Sequence, residues 1–399
     1  MSNSAGTVGA RVAGPVQGWV LVAAAWLAVM ANQVIAPVLP TMRQFFGAEP
    51  RVDVLISLTA TLPALFVAAL AALFGLLGDR VGHKRVLFGA TLLYGVVGTA
   101  PTWLATLPGI VVSRALVGVA EAAIMTCSTA LIVAHFVGRS RERYLALQTG
   151  TAPIIAVIVT ILGGALGESS WRYPFFIYGF AFVLIPLTGL LVWEAARGQA
   201  APVAMSGASA VTATGAVPFR WGTLLWRCCV STFAMSAFLV TAIQTSFVLT
   251  ERGLTSPASI GFWTSGAMLA NPVGALIFGL LPWRSVPKLA LSFGLMCAGL
   301  CVMALLPHWQ SAIVGATIAN LGAGMILPTL ITWTLSDLPD AQRGQGTGVW
   351  MSATFLGQFL SPLSILGLKT LGVDLSGAIL AYALACGAAA LIALLARRG

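Results

Sequence analysis

The chain has 399 residues, of which 8% are charged and 58% hydrophobic, and its mean hydropathy is +0.95. A water-soluble domain carries about 25% charged residues, so this composition excludes a soluble enzyme, a disordered chain and a secreted disulfide scaffold. The 21 basic against 11 acidic residues, a net +10, would suggest nucleic acid in a soluble protein. In a membrane protein the first question is on which side those charges fall.

The first polar stretch, Met1 to Pro15, lacks the charged start and cleavage site of a signal peptide, so the apolar run after it is expected to be a retained helix. A membrane-crossing helix needs about 20 mainly apolar residues. That rule predicts spans at 17–40, 53–77, 86–105, 109–135, 144–166 and 173–193, then at 223–249, 258–281, 288–306, 310–335, 345–366 and 373–396. The expected fold is therefore all-α, with twelve transmembrane helices in two six-helix bundles, 17–193 and 223–396. A tail over 1–16, a linker over 194–222 and a short end at 397–399 complete the chain. The centre of the linker is uncharged Ala, Ser, Thr and Gly, a composition suited to a flexible connector.

With twelve spans both termini share a side. On that side fall Arg11, Arg80, Lys84, Arg85, Arg139, Arg141, Arg143, Arg197, Arg220, Arg227, Arg284, Lys288, Arg343, Arg397 and Arg398. The opposite side holds Arg43, Arg51, Arg172, Arg252 and Lys369, and Arg114 lies inside a span. By the positive-inside rule the termini are expected in the cytoplasm and the chain in the plasma (inner) membrane. The net charge is then an orientation signal, and no nucleic-acid partner is called for.

A shift of 204 residues pairs Gly75 with Gly279, Arg80 with Arg284, Lys84 with Lys288, Gly118 with Gly322 and Arg139 with Arg343. Three basic matches at one offset, in a chain so poor in charge, point to two repeats around a central site, which is a transporter plan.

Between the second and third spans lies Gly75-Leu-Leu-Gly-Asp79-Arg80-Val-Gly82-His83-Lys84-Arg85. One charge at a time, it is a short basic loop with a local ion pair. As a whole it resembles the G-x-x-x-D-R-x-G-[RK]-[RK] signature of the major facilitator superfamily. Arg114-Ala-Leu-Val-Gly118-Val-Ala-Glu121-Ala122 on the fourth span resembles that family's R-x-x-x-G-x-x-x-A element, and Trp171-Arg172 precedes the sixth span as the family has it. The resemblance runs from about residue 17 to 396. It implies that Gly75, Asp79, Arg80, Gly82, Lys84 and Arg85 are gating residues, with Asp79 docking on the start of span 11 to lock an outward-facing state. The second-half copy has Trp283 in place of Asp79, so such a lock is one-sided. Within the family the chain is most like the drug:proton antiporter branch, with one departure. Late in span 5 that branch carries G-P-x-x-G-G, whereas here Val159-Thr160 precedes Gly163-Gly164, and Pro153 stands seven residues too early.

Arg114 and Glu121 are the only ionisable side chains placed well inside the hydrocarbon. A charge there costs about 2.5–3.5 kcal/mol even on lenient scales, so such residues face the bundle interior and are functional candidates. Seven apart, they lie about 10.5 Å from each other on nearly one helix face, too far for a direct ion pair. Burial disfavours the charged form of Glu121 and a nearby cation favours it, a balance that a proton-coupled cycle can use. Glu121 is the expected coupling residue and Arg114 a cavity residue. The structural alternative has Arg114 bonding carbonyls of a neighbouring helix and Glu121 capping a polar network. Further cavity candidates are Asn32, Gln148, Gln244, Asn320 and Gln358, beside Gln33 and Asn271; buried amides need partners, so some of these bond another helix instead. The family lines its cavity with spans 1, 4, 7 and 10, which favours Asn32, Arg114, Gln244 and Asn320. Trp26, Phe238, Trp263 and Trp333 could supply aromatic walls or simply pack.

Catalytic and metal readings find little support. His83, His135 and His308 are far apart, no Ser or Cys has a neighbouring base, and no phosphate-binding loop is present. Cys127, Cys228, Cys229, Cys297, Cys301 and Cys386 read as small core residues. The expected activity is alternating-access transport of a small organic solute, driven by protons, with no cofactor and no enzyme activity, by a monomer in the bilayer. Export of amphipathic compounds is the leading reading. The span 4 pattern also occurs in organic-anion symporters, so proton-driven uptake of an anion held by Arg114 is the alternative. A non-transporting receptor or a membrane-embedded enzyme is a remote third.

Overall fold

In a computed structural model, residues 13–194, 221–335 and 343–396 are described. The central part of the expected linker, most of the tail, and Arg11, Arg197, Arg220, Arg397 and Arg398 lie outside them. The described residues are helical, with no strand among them. In chain order the helices are α1 (Pro15–Phe45), α2 (Val52–Val81), α3 (His83–Thr99), α4 (Leu107–His135), α5 (Gly138–Gly167) and α6 (Tyr173–Leu191). The second set is α7 (Trp221–Glu251), α8 (Pro257–Leu280), α9 (Ser285–Leu305), α10 (Trp309–Leu335), α11 (Arg343–Thr370) and α12 (Leu375–Ala396).

Eleven of these are long and apolar enough to cross a membrane. The remaining one, α3, is 17 residues long and is continued by a 3-10 turn at Ala100–Thr102, which brings it to the usual crossing length.

Proline explains where the long spans are interrupted. α1 runs regularly to Gln33, turns through a 3-10 segment at Ala36–Val38 and resumes at Leu39. Pro37 and Pro40 have no N–H for the ladder there. Pro153 follows the break of α5 at Thr151, and Pro272 follows that of α8 at Leu269. The expected spans at 17–40 and 144–166 are thus longer than composition suggested, because these helices extend past the apolar run at one end.

The twelve helices form two pseudo-symmetric bundles with two apolar cores, the first of which also takes in Leu239 and Ile243 of α7. The most buried spans are α4 (83% of its apolar window), α7 (72%), α1 and α10 (61% each); the others range from 17 to 50%. The first and fourth helices of each half are therefore the inner ones. Gly118 of α4 packs on the backbone of Pro63 in α2, and in the other half Gly324 of α10 packs on Asn271 of α8. The same pairs of helices touch, though not through residues 204 apart.

Between the halves, α2 lies along α11 and α5 along α8. The α5–α8 contact is built on glycine: Gly164 sits against the backbone of Pro257 and Gly261, so close that a side chain on either helix would collide. The α5–α8 contact, with those of residues 36–45 to α7 and α8, lies at the end of the bundle away from the termini, while Ser352 of α11 donates to the Ala68 carbonyl of α2 at 3.1 Å nearer mid-span. Toward the terminal end, residues 138–150 of α5 and 270–280 of α8 pack mainly within their own halves. The halves are in contact at the far end.

Candidate functional site

Arg114 is fully buried. Its Nη2 donates to the carbonyl of Ala31, its Nε donates to the carbonyl of Thr59 (3.3 Å), and its guanidinium lies 5.0 Å from the ring centre of Tyr178. The Tyr178 hydroxyl donates to the same Ala31 carbonyl at 2.8 Å. Ala31 stands in the last turn of the first segment of α1, where the carbonyls lose their ladder partners and the helix dipole is negative. The break in α1 therefore creates acceptors inside the bilayer, and Arg114 answers them. Its partners come from α1, α2 and α6 of one half, its Nη1 has no partner, and it is not in the lining of the three cavities described below. This is the arrangement of carbonyl bonds weighed in the sequence as the structural alternative.

Glu121, two turns along the same helix, is 3% exposed, and its Oε2 has no hydrogen-bond partner. Below it, Thr126 donates to the Ala71 carbonyl at 3.3 Å, which ties α4 to α2. Gln148 donates to the hydroxyls of Thr129 (3.1 Å) and Ser128 (3.4 Å), so it joins α5 to α4 within one half.

Between the halves, a narrow cavity of ≈ 20 Å³ is lined by Gln33 of α1, Thr160 of α5, Thr241 and Thr245 of α7, Thr264 and Met268 of α8, and Asn320 of α10. The Asn320 amide donates to the Ala316 carbonyl at 2.9 Å, and its oxygen accepts from Asn271 at 3.5 Å. Five spans from both halves meet here. Of the expected cavity residues, Asn320 lies in this wall. Asn32 is half-buried with an unpartnered Oδ1, next to Gln33, which does line the cavity. Gln244 instead lines a cleft at the far end with Arg43, Asp53, Ser57 and Lys369, where Arg43 and Asp53 pair at 2.5 Å. Gln358 is half-buried on α11 and lines none of these cavities. A third cleft, between α2, α4 and α11, is walled by Val67, Ala71, Met125, Val349 and Phe355.

The aromatic candidates divide. Trp26 donates to the Thr151 hydroxyl at 2.8 Å, at the break of α5. Trp333 lies under the guanidinium of Arg227, and Phe238 packs against the core of its own half. Trp263 is 41% exposed and tilts against Trp309, on the outer surface. The four threonines of the central cavity went unread in the sequence, because threonine passes within an apolar run. The spacing of Thr241 and Thr245, one turn apart on an inner span, was the available signal.

At the α2–α3 loop, Gly82 has φ +112°, a conformation that side chains rarely adopt, and Gly75 and Gly78 are buried. Gly78 lies against the ring of His83, whose Nε2 is 3.6 Å from Asp79. Lys84 donates from Nζ to the Gly189 carbonyl (2.8 Å), and Glu194 covers Gly82, so α6 holds this loop. Arg80 and Arg85 are exposed. The expected dock for Asp79, the side chains at 343–345, lies outside the described residues.

This constellation defines a polytopic helical membrane protein with inner spans 1, 4, 7 and 10 around a cavity between two halves. The sequence profile of the Major Facilitator Superfamily matches residues 21–362, and the chain belongs to that family of membrane transporters. It is 27% identical over 321 residues to the 3-(3-hydroxy-phenyl)propionate transporter of Escherichia coli (strain K12), covering 77% of this chain and 76% of that one. It is 25% identical over 346 residues to the class H tetracycline resistance protein of Pasteurella multocida, covering 82% and 83%. Among solved structures, a bacterial homolog of the human lysosomal transporter Spinster, inward-facing and unoccupied, superposes with a TM-score of 0.76 at 15% identity, over 97% of this chain and 98% of that one. The xylose transporter XylE from E. coli, inward open, gives 0.75 at 15% identity over 94% of each. At such identities the likeness is one of fold.

Proposed function

We propose that the protein exports small amphipathic organic solutes across the plasma (inner) membrane by alternating access, with protons as the driving ion and Glu121 as the coupling residue. The observation that carries this is the carboxylate of Glu121: it is buried in an inner span and has an oxygen without a partner. A buried carboxyl that no ion pair satisfies is suited to exchange a proton as its surroundings change. The likeness to a tetracycline resistance protein supports a drug-like solute. The termini are then cytoplasmic, in keeping with the basic residues on that side, and the two halves work as a monomer.

Uptake of an organic anion is favoured by the likeness to a phenylpropionate transporter. It would need Arg114 to reach the solute, and Arg114 is fully buried against the Ala31 and Thr59 carbonyls. Reconstituted into liposomes, Glu121→Gln is expected to bind solute and to lose pH-gradient-driven flux. Flux that persists in this variant would overturn the coupling role.

A further inference from the structure

The central cavity carries no charged side chain in its wall. Its hydroxyls are also one-sided. A threonine has one proton to donate, and Thr160, Thr245 and Thr264 each have a close carbonyl for it within their own helix, while the contact of Thr241 is long. Thr160 donates to the Ala156 carbonyl (2.8 Å), Thr241 to Ala237 (3.5 Å), Thr245 to Thr241 (2.5 Å) and Thr264 to Ile260 (2.6 Å). The Asn320 amide commits one N–H to Ala316 in the same way. Toward the cavity Thr160, Thr245 and Thr264 therefore offer lone pairs. The N–H groups left in the wall are those of Gln33 and the second of Asn320. With ≈ 20 Å³ free, the cavity has room for about one water-sized group, not for a whole solute.

We infer that this cavity recognises a single hydrogen-bond donor, a hydroxyl or an ammonium, at the head of an otherwise apolar solute, and that it disfavours a carboxylate. The shared chemistry is the donated proton. Acceptors outnumber the N–H groups of Gln33 and Asn320 in this wall, so a desolvated acceptor head finds fewer partners than a donor head, and that mismatch costs more than a good match gains. The four threonines lie on α5, α7 and α8, so a donor here bridges the two halves. The inference deepens the export reading and rests on it.

A matched series tests it on the full chain: 3-phenylpropan-1-ol, 3-phenylpropylammonium, 3-phenylpropyl methyl ether and 3-phenylpropionate. Saturation binding to the purified protein is expected to favour the alcohol and the ammonium about tenfold over the ether and the carboxylate. Thr245→Val and Thr264→Val keep the shape and remove the acceptor. They are expected to bring the alcohol down to the ether's affinity, whereas Thr245→Ser and Thr264→Ser retain the preference. A carboxylate that binds as tightly as the alcohol, or a preference that survives in both valine variants while the serine variants show normal folding, overturns the inference. Proton-driven flux of other amphipathic solutes in liposomes, with none of the four compounds bound, overturns it and leaves the export reading standing. Loss of both overturns the two together.

Discussion

Glu168, at the end of α5, accepts a hydrogen bond of 2.8 Å from the hydroxyl of Ser256, which caps the start of α8 in the other half. The same carboxylate oxygen accepts from the Ala258 N–H at 3.1 Å, while Ser256 accepts from the Ser259 N–H. A negative group thus sits on the positive end of a helix that belongs to the opposite bundle, beside the glycine contact of Gly164 with Gly261.

This pair should help hold the far end shut. Glu168 is exposed, so the interaction is screened, and we expect Glu168→Ala to weaken closure by about 1 kcal/mol, roughly fivefold in the ratio of closed to open molecules. Spin labels across the far-end mouth, read by pulsed electron spin resonance, would show the shift as a longer-distance population. An unchanged distance distribution would assign the closure to packing alone.

Packing has its own test. A side chain at Gly261 would meet the Thr160 carbonyl at 2.8 Å, and one at Gly164 would meet the Pro257 carbonyl at 2.6 Å. Gly164→Val should prop the far end open and lower transport at least tenfold, because overpacking costs about 1–3 kcal/mol in the closed state alone. The thermal stability of the purified protein should change less than its flux does.

Arg114→Ala is expected to lower stability more than affinity. It strips the buried Thr59 carbonyl of its donor, at about 1–3 kcal/mol, and leaves the Ala31 carbonyl to Tyr178 alone. Arg114→Lys keeps the charge but loses the planar fork that reaches two helices at once. Both variants should melt at lower temperature in detergent. A variant of normal stability that loses only binding of an anionic solute would restore Arg114 to the cavity.

Gly82→Ala tests the loop between α2 and α3. At φ +112° an added Cβ is strained by about 1–2 kcal/mol, and here it would also meet Glu194. The expected result is a lower melting temperature, with Glu194→Ala relieving the clash and only part of the loss.

The spans were legible because a bilayer imposes length and apolarity on any helix that crosses it, and the breaks at Pro37, Pro153 and Pro272 follow from a missing N–H. The inner position of spans 1, 4, 7 and 10 came from the family resemblance, and the burial of each helix agrees with it. What no residue pattern carries is the partner of a buried group. Arg114 reads the same whether it faces a solute or a helix end, since the acceptor that decides, the Ala31 carbonyl, exists only once α1 has broken. Glu168 reads as an ordinary solvated loop residue, because its role depends on a helix start 88 residues later. The threonines of the central cavity were hidden for the opposite reason: satisfied within their own helices, they break no apolar run.

The partners of Arg114 also set an order of assembly. They come from α1 and α2, made before it, and from α6, which leaves the ribosome about 60 residues after it. During synthesis the fourth span must enter the bilayer with its charge answered by the two earlier helices alone. The Tyr178 ring closes over it only when the first half is complete. The guanidinium is thus fully covered only once the sixth span is in place, so a chain that ends before α6 should leave one face of Arg114 bare.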